Sequence, residues 1–278
     1  MSDLQYPLSS GSFFFSRRKR IRIRCKERRP AVPLFMCAVA VLTLLSFWYL
    51  DIDWIRLLSR TPDIGLIFWK LGHLSTNELS IVLASLLQTI AIAVLALLYS
   101  MLLGICFGML AARNVLRLPV LSVLTQAFFS FLRAVPTPVW VLLMLVCFGM
   151  GPEAGVAGLC VHTTAFFTKA FAQSFESIPE ETLEALEAAG ASRVSVFFNA
   201  VLPASFSQLV AWCGMRLEVN FSECAILGMV GAGGVGYVIA TSMQGYAYGT
   251  AGVAILLVFL TAYACERLFV MIKRLFRA

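Results

Sequence analysis

The sequence has few charged residues and few of the motifs that enzymes use. Charged side chains make up 13% of its 278 residues, against about 25% in ordinary soluble domains. It has two histidines and neither an H-E-x-x-H nor a G-x-S-x-G motif, which excludes the common zinc-protease and serine-hydrolase sites. It has no Gly-Lys dipeptide, and therefore no P-loop for ATP. These absences argue against an enzyme, including an intramembrane enzyme.

The eight cysteines do not form any C-x-x-C pair, and most of them lie in apolar runs. This pattern predicts small buried hydrophobic side chains rather than disulfides or metal ligands.

Apolar residues dominate the chain, at 60% of the total. A transmembrane helix needs about 20 consecutive apolar residues, and several runs reach that length. We therefore predict an all-α, polytopic membrane protein with about six transmembrane helices. The predicted spans are residues 31–50, 79–112, 118–150, 153–175, 204–227 and 250–272, of which the third is broken by prolines.

The net charge of +7 is concentrated at the N-terminus. Residues 1–30 hold nine basic and two acidic residues, and the remainder is neutral. Because basic residues stay on the cytoplasmic side of a membrane, this predicts a basic cytoplasmic tail rather than a nucleic-acid site. The first transmembrane helix (31–50), an extracytoplasmic loop (51–78) and a transmembrane domain (79–273) follow. Both termini are expected to be cytoplasmic, in a bacterial inner membrane.

A polar segment from Ser177 to Pro203 interrupts the apolar sequence. Ser177 and Glu180 have the S-x-x-E spacing of a helix capping box. Gly190 ends this helix, and Ser192 can cap a second one. The segment is too short and too acidic to cross a bilayer, so we predict two small helices that lie beside the membrane and contact a partner.

The segment resembles the EAA loop of ABC-importer permeases, whose pattern is E-A-A, three residues, G, nine residues, I, one residue, L-P. Leu186 replaces the second alanine, at the third position of E-A-A, and Ala200 replaces the isoleucine. The resemblance implies a cytoplasmic coupling helix that sits in a cleft of the ATPase subunit; the alternative is a connector that is merely amphipathic. The matching positions are Glu184, Ala185, Leu186, Gly190, Leu202 and Pro203.

A basic and hydroxyl-bearing group occupies the fourth predicted span. His162 lies near its middle, Thr163 and Thr164 follow, and Lys169 is seven residues further on, on the same helical face. Charged groups at membrane depth are costly and are functional candidates, and this set suits a passing oxyanion. The alternative is that His162 and the threonines bond a neighbouring helix while Lys169 extends to the membrane surface.

A second charged cluster follows in the fifth predicted span. Arg216 and Asn220 share one helical face, Glu218 and Ser222 share another, and Glu223 returns to the face of Arg216. These residues either line a pore or neutralise each other across a subunit interface. Pairing is favoured, because unpaired carboxylates would repel an anion.

A glycine-rich run occupies residues 228–236 and includes Gly234. Gly231, Gly233 and Gly236 match G-x-G-x-x-G, but the strand and the soluble βαβ unit of a dinucleotide site are missing. Glycines at the end of a span permit close helix packing or a turn beside a cavity. We predict an outer gate element.

Together, the H-T-T triplet, the coupling loop, the R-x-E-x-N run and the glycine run resemble the permeases of phosphonate importers, which group with methionine-importer permeases. The resemblance implies a type I fold and a homodimer joined to two ATPase subunits, which bind ATP and Mg, with no cofactor in this chain. It also implies an extracytoplasmic phosphonate-binding protein. Phosphite, phosphate or an amino acid are alternative ligands. A secondary transporter is a further alternative, but it would have no use for a coupling loop.

Overall fold

The computed structural model describes residues 31–275, and every regular element in that range is a helix. The predicted basic tail of residues 1–30 lies outside the described residues. The chain divides into two compact units between Arg60 and Thr61. The predicted all-α fold is confirmed for the part of the chain that the structure describes.

The first unit contains α1 (Ala31–Leu50) and α2 (Trp54–Ser59). α1 is 20 residues long and has no charged residue, so its length of about 30 Å matches the hydrocarbon core of a bilayer. α2 starts after Asp53, whose carboxylate accepts a hydrogen bond from the Arg56 backbone N–H at 3.0 Å. This side-chain cap satisfies one of the free donors at the start of α2.

The second unit holds the remaining helices. The π-helical turn Phe197–Val201 precedes α11. The turn Gly228–Ala232 follows α11 and is kinked at Gly231, whose φ of +116° is non-helical. The α-helices are α3 (Thr61–Gly72), α4 (Leu79–Ala111), α5 (Arg113–Leu116), α6 (Pro119–Ala134), α7 (Thr137–Phe148), α8 (Pro152–Glu176), α9 (Glu180–Ala188), α10 (Arg193–Val196), α11 (Leu202–Leu227), α12 (Val235–Gln244) and α13 (Tyr248–Leu275).

Four helical stretches within residues 31–275 are long and apolar enough to cross a membrane: α1, α4, α13 and the continuous stretch Arg193–Ala232. The bent pair α6 and α7 makes a fifth if it forms one span. α8 has 25 residues, but polar residues such as His162 and Lys169 reduce its hydropathy. Because its neighbours cover most of it, α8 does not need an apolar surface to lie at membrane depth.

α8 is the central helix of the second unit, and it packs against α4, α6, α7 and α11. More than half of its residues are buried. Gly104 permits the close approach of α4, since a Cβ atom at that position would lie 2.5 Å from the Cβ of Phe167. Small residues allow helices in membranes to pack this closely.

A series of buried phenylalanines connects the middle of α8 to the start of α11. Phe167 and Phe171 stack with their ring centroids 4.7 Å apart, Phe175 follows at 6.5 Å, and Phe197 meets Phe175 edge-on at 5.0 Å. All four side chains are almost completely buried. We call these four residues the phenylalanine ladder.

Two regions allow the predicted spans to be compared with the observed helices. The prolines of the third span separate α6 from α7, which meet at 87°, as expected for a broken helix. The connection between the fifth and sixth predicted spans contains α12, which its glycine-rich sequence does not predict. Val235 and Val238 are buried, so the apolar face of α12 stabilises a helix that the flanking glycines had obscured.

Candidate functional site

Arg216 of α11 lies at the centre of a polar network between α7, α8 and α11. Its side chain is 6% exposed and its guanidinium donates to the Glu223 carboxylate at 3.2 Å. It also donates to the Thr163 hydroxyl at 3.2 Å. Glu223 in turn accepts from the Thr137 hydroxyl of α7 at 3.2 Å. Arg216 and Glu223 therefore pair within this chain, and neutralisation across a subunit interface stays a prediction.

His162 and Asn220 complete the network. The guanidinium of Arg216 lies 3.0 Å from Nδ1 of His162. Because a guanidinium can only donate, Nδ1 acts as the acceptor. The Thr163 hydroxyl donates to Oδ1 of fully buried Asn220 at 3.0 Å. This arrangement links α8 to α11 by side chains alone, within the core.

Three other predicted pathway residues lie outside this network. Glu218 is exposed and lines a separate cavity with Glu266, between α11 and α13. Lys169 is exposed and lines a cavity between α6 and α8. Thr164 is buried, and its hydroxyl has no hydrogen-bond partner among the described residues. The structure thus brings His162, Thr163, Arg216 and Asn220 together and leaves Lys169 apart from them.

The predicted coupling segment forms α9, a turn at Gly190, α10 and the π-helical turn Phe197–Val201. Leu183 is 2% exposed and anchors α9 in the core. Gly190 has a φ of +91°, a conformation that glycine adopts without strain. The exposed face of α9 carries Glu184 and Ala185, which leaves both available to a partner.

The third position of the EAA pattern has a different role from the first two. Leu186 is half-buried and packs against the cluster that contains the phenylalanine ladder. A larger apolar residue at this position adds packing inside the subunit. Leu202 is half-buried beside the same cluster, and Pro203 occupies the first turn of α11, where a missing N–H is tolerated.

Ion pairs fix α9 and α10 to α5 and the residues around it. Arg117 lies 3.4 Å from the Glu184 carboxylate and 3.5 Å from that of Glu187. Arg193 lies 3.7 Å from Glu187 and donates to the Leu116 carbonyl at 2.8 Å. Exposed pairs of this kind contribute roughly 0–1 kcal/mol each, so they orient α9 more than they stabilise it.

The caps of the coupling segment differ from the prediction at one end. Ser192 caps α10 as predicted, accepting from the Ser195 N–H at 3.3 Å. The predicted capping box of Ser177 and Glu180 is wrong: the Ser177 hydroxyl donates to the Ser174 carbonyl at 2.7 Å, and Pro179 precedes α9 without a side-chain cap. The carbonyls at the end of α8 compete for the same hydroxyl.

The glycine run docks against α4. Gly231, Gly233 and Gly234 have φ values of +116°, +80° and +75°, and a Cβ atom at Gly234 would lie 2.4 Å from the Thr89 hydroxyl. The Gly234 N–H donates to the Gln88 side chain at 3.2 Å, and the next N–H donates to Thr89 at 2.8 Å. Gly236, at the start of α12, lies against the carbonyl of residue 225. The gate function of the run stays a prediction.

Sequence reasoning missed several of these residues. Gln88 and Thr89 form a polar pair inside the otherwise apolar α4, and that contrast was a usable signal. Arg133 was assigned only to a helix break, although it is a charged residue at the junction of α6 and α7. Arg117 carries no signal of its own, because its acidic partners lie on α9, more than 60 residues away in sequence.

No group of three or more potential metal ligands occurs among residues 31–275, and the seven cysteines there are free thiols.

Comparison with known proteins identifies the family. Residues 104–275 match the family of binding-protein-dependent transport system inner membrane components. The phosphate-import permease protein PhnE of Mycolicibacterium smegmatis is 36% identical over 181 residues, which are 65% of this chain and 34% of that protein. The phosphite transport system permease protein PtxC of Stutzerimonas stutzeri is 29% identical over 78% of this chain and 79% of that protein. This chain thus spans about a third of the first relative's length.

Solved structures show the same fold. A chain of the MetNI methionine ABC transporter, in an inward-facing conformation, matches with a TM-score of 0.67 at 20% identity, over 72% of this chain and 98% of that chain. The predicted resemblance to ABC-importer permeases and the type I fold are confirmed, and the molecule is a multi-pass inner-membrane transport component rather than an enzyme. This chain belongs to the family of binding-protein-dependent transport system inner membrane components.

Proposed function

We propose that this chain is the permease subunit of an ABC importer that translocates a phosphonate or a related phosphorus oxyanion such as phosphite or phosphate. The observation that carries the importer assignment is α9, a short acidic helix. It is anchored by Leu183, exposes Glu184 and Ala185, and lies between the central helix and α11. This geometry suits a helix that transmits force from an attached subunit.

The substrate class rests on the relatives. Two of them are named for phosphate and phosphite, and another is a putative cryptic phosphonate permease protein of Escherichia coli, 30% identical over 90 residues. Permease proteins for glycine betaine match at 22–24% identity, which is lower. The other ligands are therefore competing outcomes of the uptake test described below.

The coupling mechanism follows from the contacts of α9. Nucleotide binding by the ATPase pair would move α9, and the ion pairs of Arg117 and Arg193 would carry α5 with it. The phenylalanine ladder is the packed connection from this region into α8. A ligand shifts a conformational equilibrium only through differential binding, so ATP would act by favouring the state in which the two coupling helices lie closer together.

This proposal includes the other components of the complex. ATP and Mg are bound by a dimer of ATPase subunits, and an extracytoplasmic binding protein delivers the ligand. A second permease copy completes the pathway, and nucleic acid plays no part. Both termini and α9 face the cytoplasm.

The deciding experiment measures uptake of labelled 2-aminoethylphosphonate in cells that carry this permease, its ATPase and its binding protein. Phosphite and phosphate serve as competitors. We expect ATP-dependent uptake that Glu184→Lys abolishes, because reversed charge on the exposed face of α9 disturbs the ATPase contact and the Arg117 pair together.

Glu78→Lys is the matched control, since Glu78 is exposed and makes no side-chain cap at the start of α4. It should transport like the wild type. Absence of uptake and of competition for all three phosphorus compounds, in an assembled complex, would reject the substrate class. Normal uptake by Glu184→Lys would reject the coupling role.

A further inference from the structure

A cavity of about 380 Å³ opens between α6 and α8, within the range of roughly 300–1,000 Å³ that small-molecule sites occupy. Arg133, at the end of α6, and Lys169 of α8 both line it, together with Ser130. None of the described residues that line it carries a carboxylate. Two positive charges therefore face one cavity with no acid from residues 31–275 beside them.

Some of the hydrogen-bond donors that line this cavity already have an acceptor, and others do not. The Gln126 amide donates to the Ala111 carbonyl at 2.8 Å, and the Thr168 hydroxyl donates to the Thr164 carbonyl at 2.8 Å. The side chains of Ser130, Arg133 and Lys169 have no hydrogen bond or ion pair within residues 31–275. Three free donors, two of them cationic, therefore line the cavity.

Arg216 lies nearby, but its charge is paired. The guanidinium groups of Arg133 and Arg216 contact the same ring, that of Phe166, at 5.6 and 5.5 Å from its centroid. Arg216 is neutralised by Glu223 at 3.2 Å. The Arg133 side chain makes this aromatic contact and no ion pair among the described residues, so its positive charge remains available to a ligand.

Unpaired cations at membrane depth are expensive and mark ion or substrate pathways. Lys169 lies seven residues from the end of α8, or about 10 Å at 1.5 Å per residue, so it is not at the outermost turn. A guanidinium offers parallel donors that match phosphate geometry, and an ammonium adds a compact charge. We propose that Ser130, Arg133 and Lys169 form a transient binding site for a doubly charged tetrahedral phosphorus oxyanion.

This proposal rests on the proposed function for the identity of the ligand, but not for the existence of an anion site. The same chemistry would also hold the phosphate of a lipid headgroup. The test must therefore separate an anion site from a neutral cavity, and a soluble oxyanion from a lipid.

The experiment places a cysteine at Ala134, a small exposed residue that lines the cavity and supplies no donor. The complex with Ala134→Cys is treated in nanodiscs with the anionic reagent sulfonatoethyl methanethiosulfonate or the cationic trimethylammonioethyl analogue. Modification is quantified on the peptide that contains residue 134. We expect the ratio of anionic to cationic rates to fall at least about tenfold when Arg133→Gln and Lys169→Gln are added, because a basic cleft concentrates anions.

Two further variants control this comparison. The variant Arg133→Lys with Lys169→Arg keeps both charges and should keep the ratio. It tests the effect of charge even if the variant with both glutamines assembles poorly. Arg267→Gln with Lys70→Gln removes the same two residue types at exposed positions of the second unit that do not line the cavity, and should leave the ratio unchanged. The site would be overturned if the ratio of rates did not change when Arg133 and Lys169 are replaced, or if it fell equally in the control pair.

Ligand protection identifies the occupant. Methylphosphonate, phosphite or phosphate should slow the anionic reagent in nanodiscs of phosphatidylcholine alone. If the anionic reagent is slowed only when phosphatidylglycerol is present, and the soluble oxyanions have no effect, the cavity binds a lipid headgroup and the proposal is rejected. A charge effect with no protection by any phosphorus compound would reject the ligand class.

Failure of this site and failure of the proposed function give different results. Modification needs neither ATP nor the binding protein, so the charge effect can be present in a complex that takes up no phosphorus compound. That result would reject the transport substrate and leave an anion site. Normal phosphonate uptake with a charge-independent ratio would reject the site and leave the transport function.

Discussion

Arg216 is the central residue of the polar network that joins α8 to α11 in the core. It donates to Thr163 and Glu223 and lies within 3.0 Å of a ring nitrogen of His162. A buried cation needs such partners, because moving a charge out of water costs several kcal/mol. The geometry therefore favours a structural connection between the two helices, with the free cations of the cavity placed elsewhere.

Replacing Arg216 tests this interpretation. We expect Arg216→Met to lower the free energy of unfolding by about 1–3 kcal/mol, because Glu223 and Thr163 lose their donor. The Glu223 side chain is 25% exposed, so the loss should be smaller than for a fully buried pair. The measurement is thermal unfolding of the solubilised complex.

The matched control is Arg113→Met. The Arg113 side chain is exposed and makes no ion pair among the described residues. Adding Glu223→Gln to Arg216→Met should restore part of the stability, since it removes the unpaired charge. A double variant that is no more stable than Arg216→Met would mean that the pair is not the cause.

At the scale of elements, the attachment of α9 combines two kinds of contact with different magnitudes. Leu183 is buried in the core, whereas the Arg117 pairs are partly exposed, with 63% of the Glu184 side chain accessible. Burial of a leucine side chain contributes roughly 1.5–3 kcal/mol and an exposed ion pair about 0–1 kcal/mol. Burial should therefore decide whether α9 stays docked.

This comparison predicts that Leu183→Ala frees α9 while Arg117→Gln leaves it docked. Leu183→Ala should lower the local stability of residues 180–190 by roughly 2–5 kcal/mol, and Arg117→Gln by less than about 1 kcal/mol. Hydrogen exchange of the α9 amides measures both changes, with the amides of α8 as an internal reference. Equal loosening by the two variants would show that the ion pairs hold the helix.

At the scale of the whole molecule, the length of α8 sets which surfaces face opposite sides of the membrane. The helix has 25 residues, about 37 Å at 1.5 Å per residue. The turn that contains Met150 precedes it and α9 follows it. These two surfaces should therefore be accessible from opposite compartments.

Cysteine labelling tests this orientation. A membrane-impermeant maleimide should label Glu184→Cys in inside-out vesicles and Met150→Cys in right-side-out cells, as both positions are exposed. Native exposed cysteines are replaced by serine in the background. Labelling of both positions from one side would contradict the predicted topology.

Sequence patterns located elements well where a local signal existed, and poorly where contacts came from elsewhere in the chain. Prolines predicted the break between α6 and α7, and Ser192 predicted the cap of α10, since both act within a few residues. The predicted partner of Ser177 was wrong, because a neighbouring carbonyl takes its hydroxyl proton. The helix α12 was not predicted, because burial against other helices stabilises it. Arg133 was missed because only the fold shows that it shares a cavity with Lys169.

The π-helical turn Phe197–Val201 constrains the length of the chain between α9 and Arg216. Its wider spacing is visible in the Leu202 N–H, which donates to the carbonyl of Phe197, five residues earlier. Such a turn accommodates one residue more than an α-helical path would. Deleting one residue there would close it into an α-helix without changing the direction in which the downstream residues face, whereas the same deletion inside α11 would rotate them by about 100°. A one-residue deletion between Leu202 and Arg216 would therefore turn the Arg216 face of α11 away from His162, whereas the same deletion inside the π-helical turn would leave the two residues facing each other.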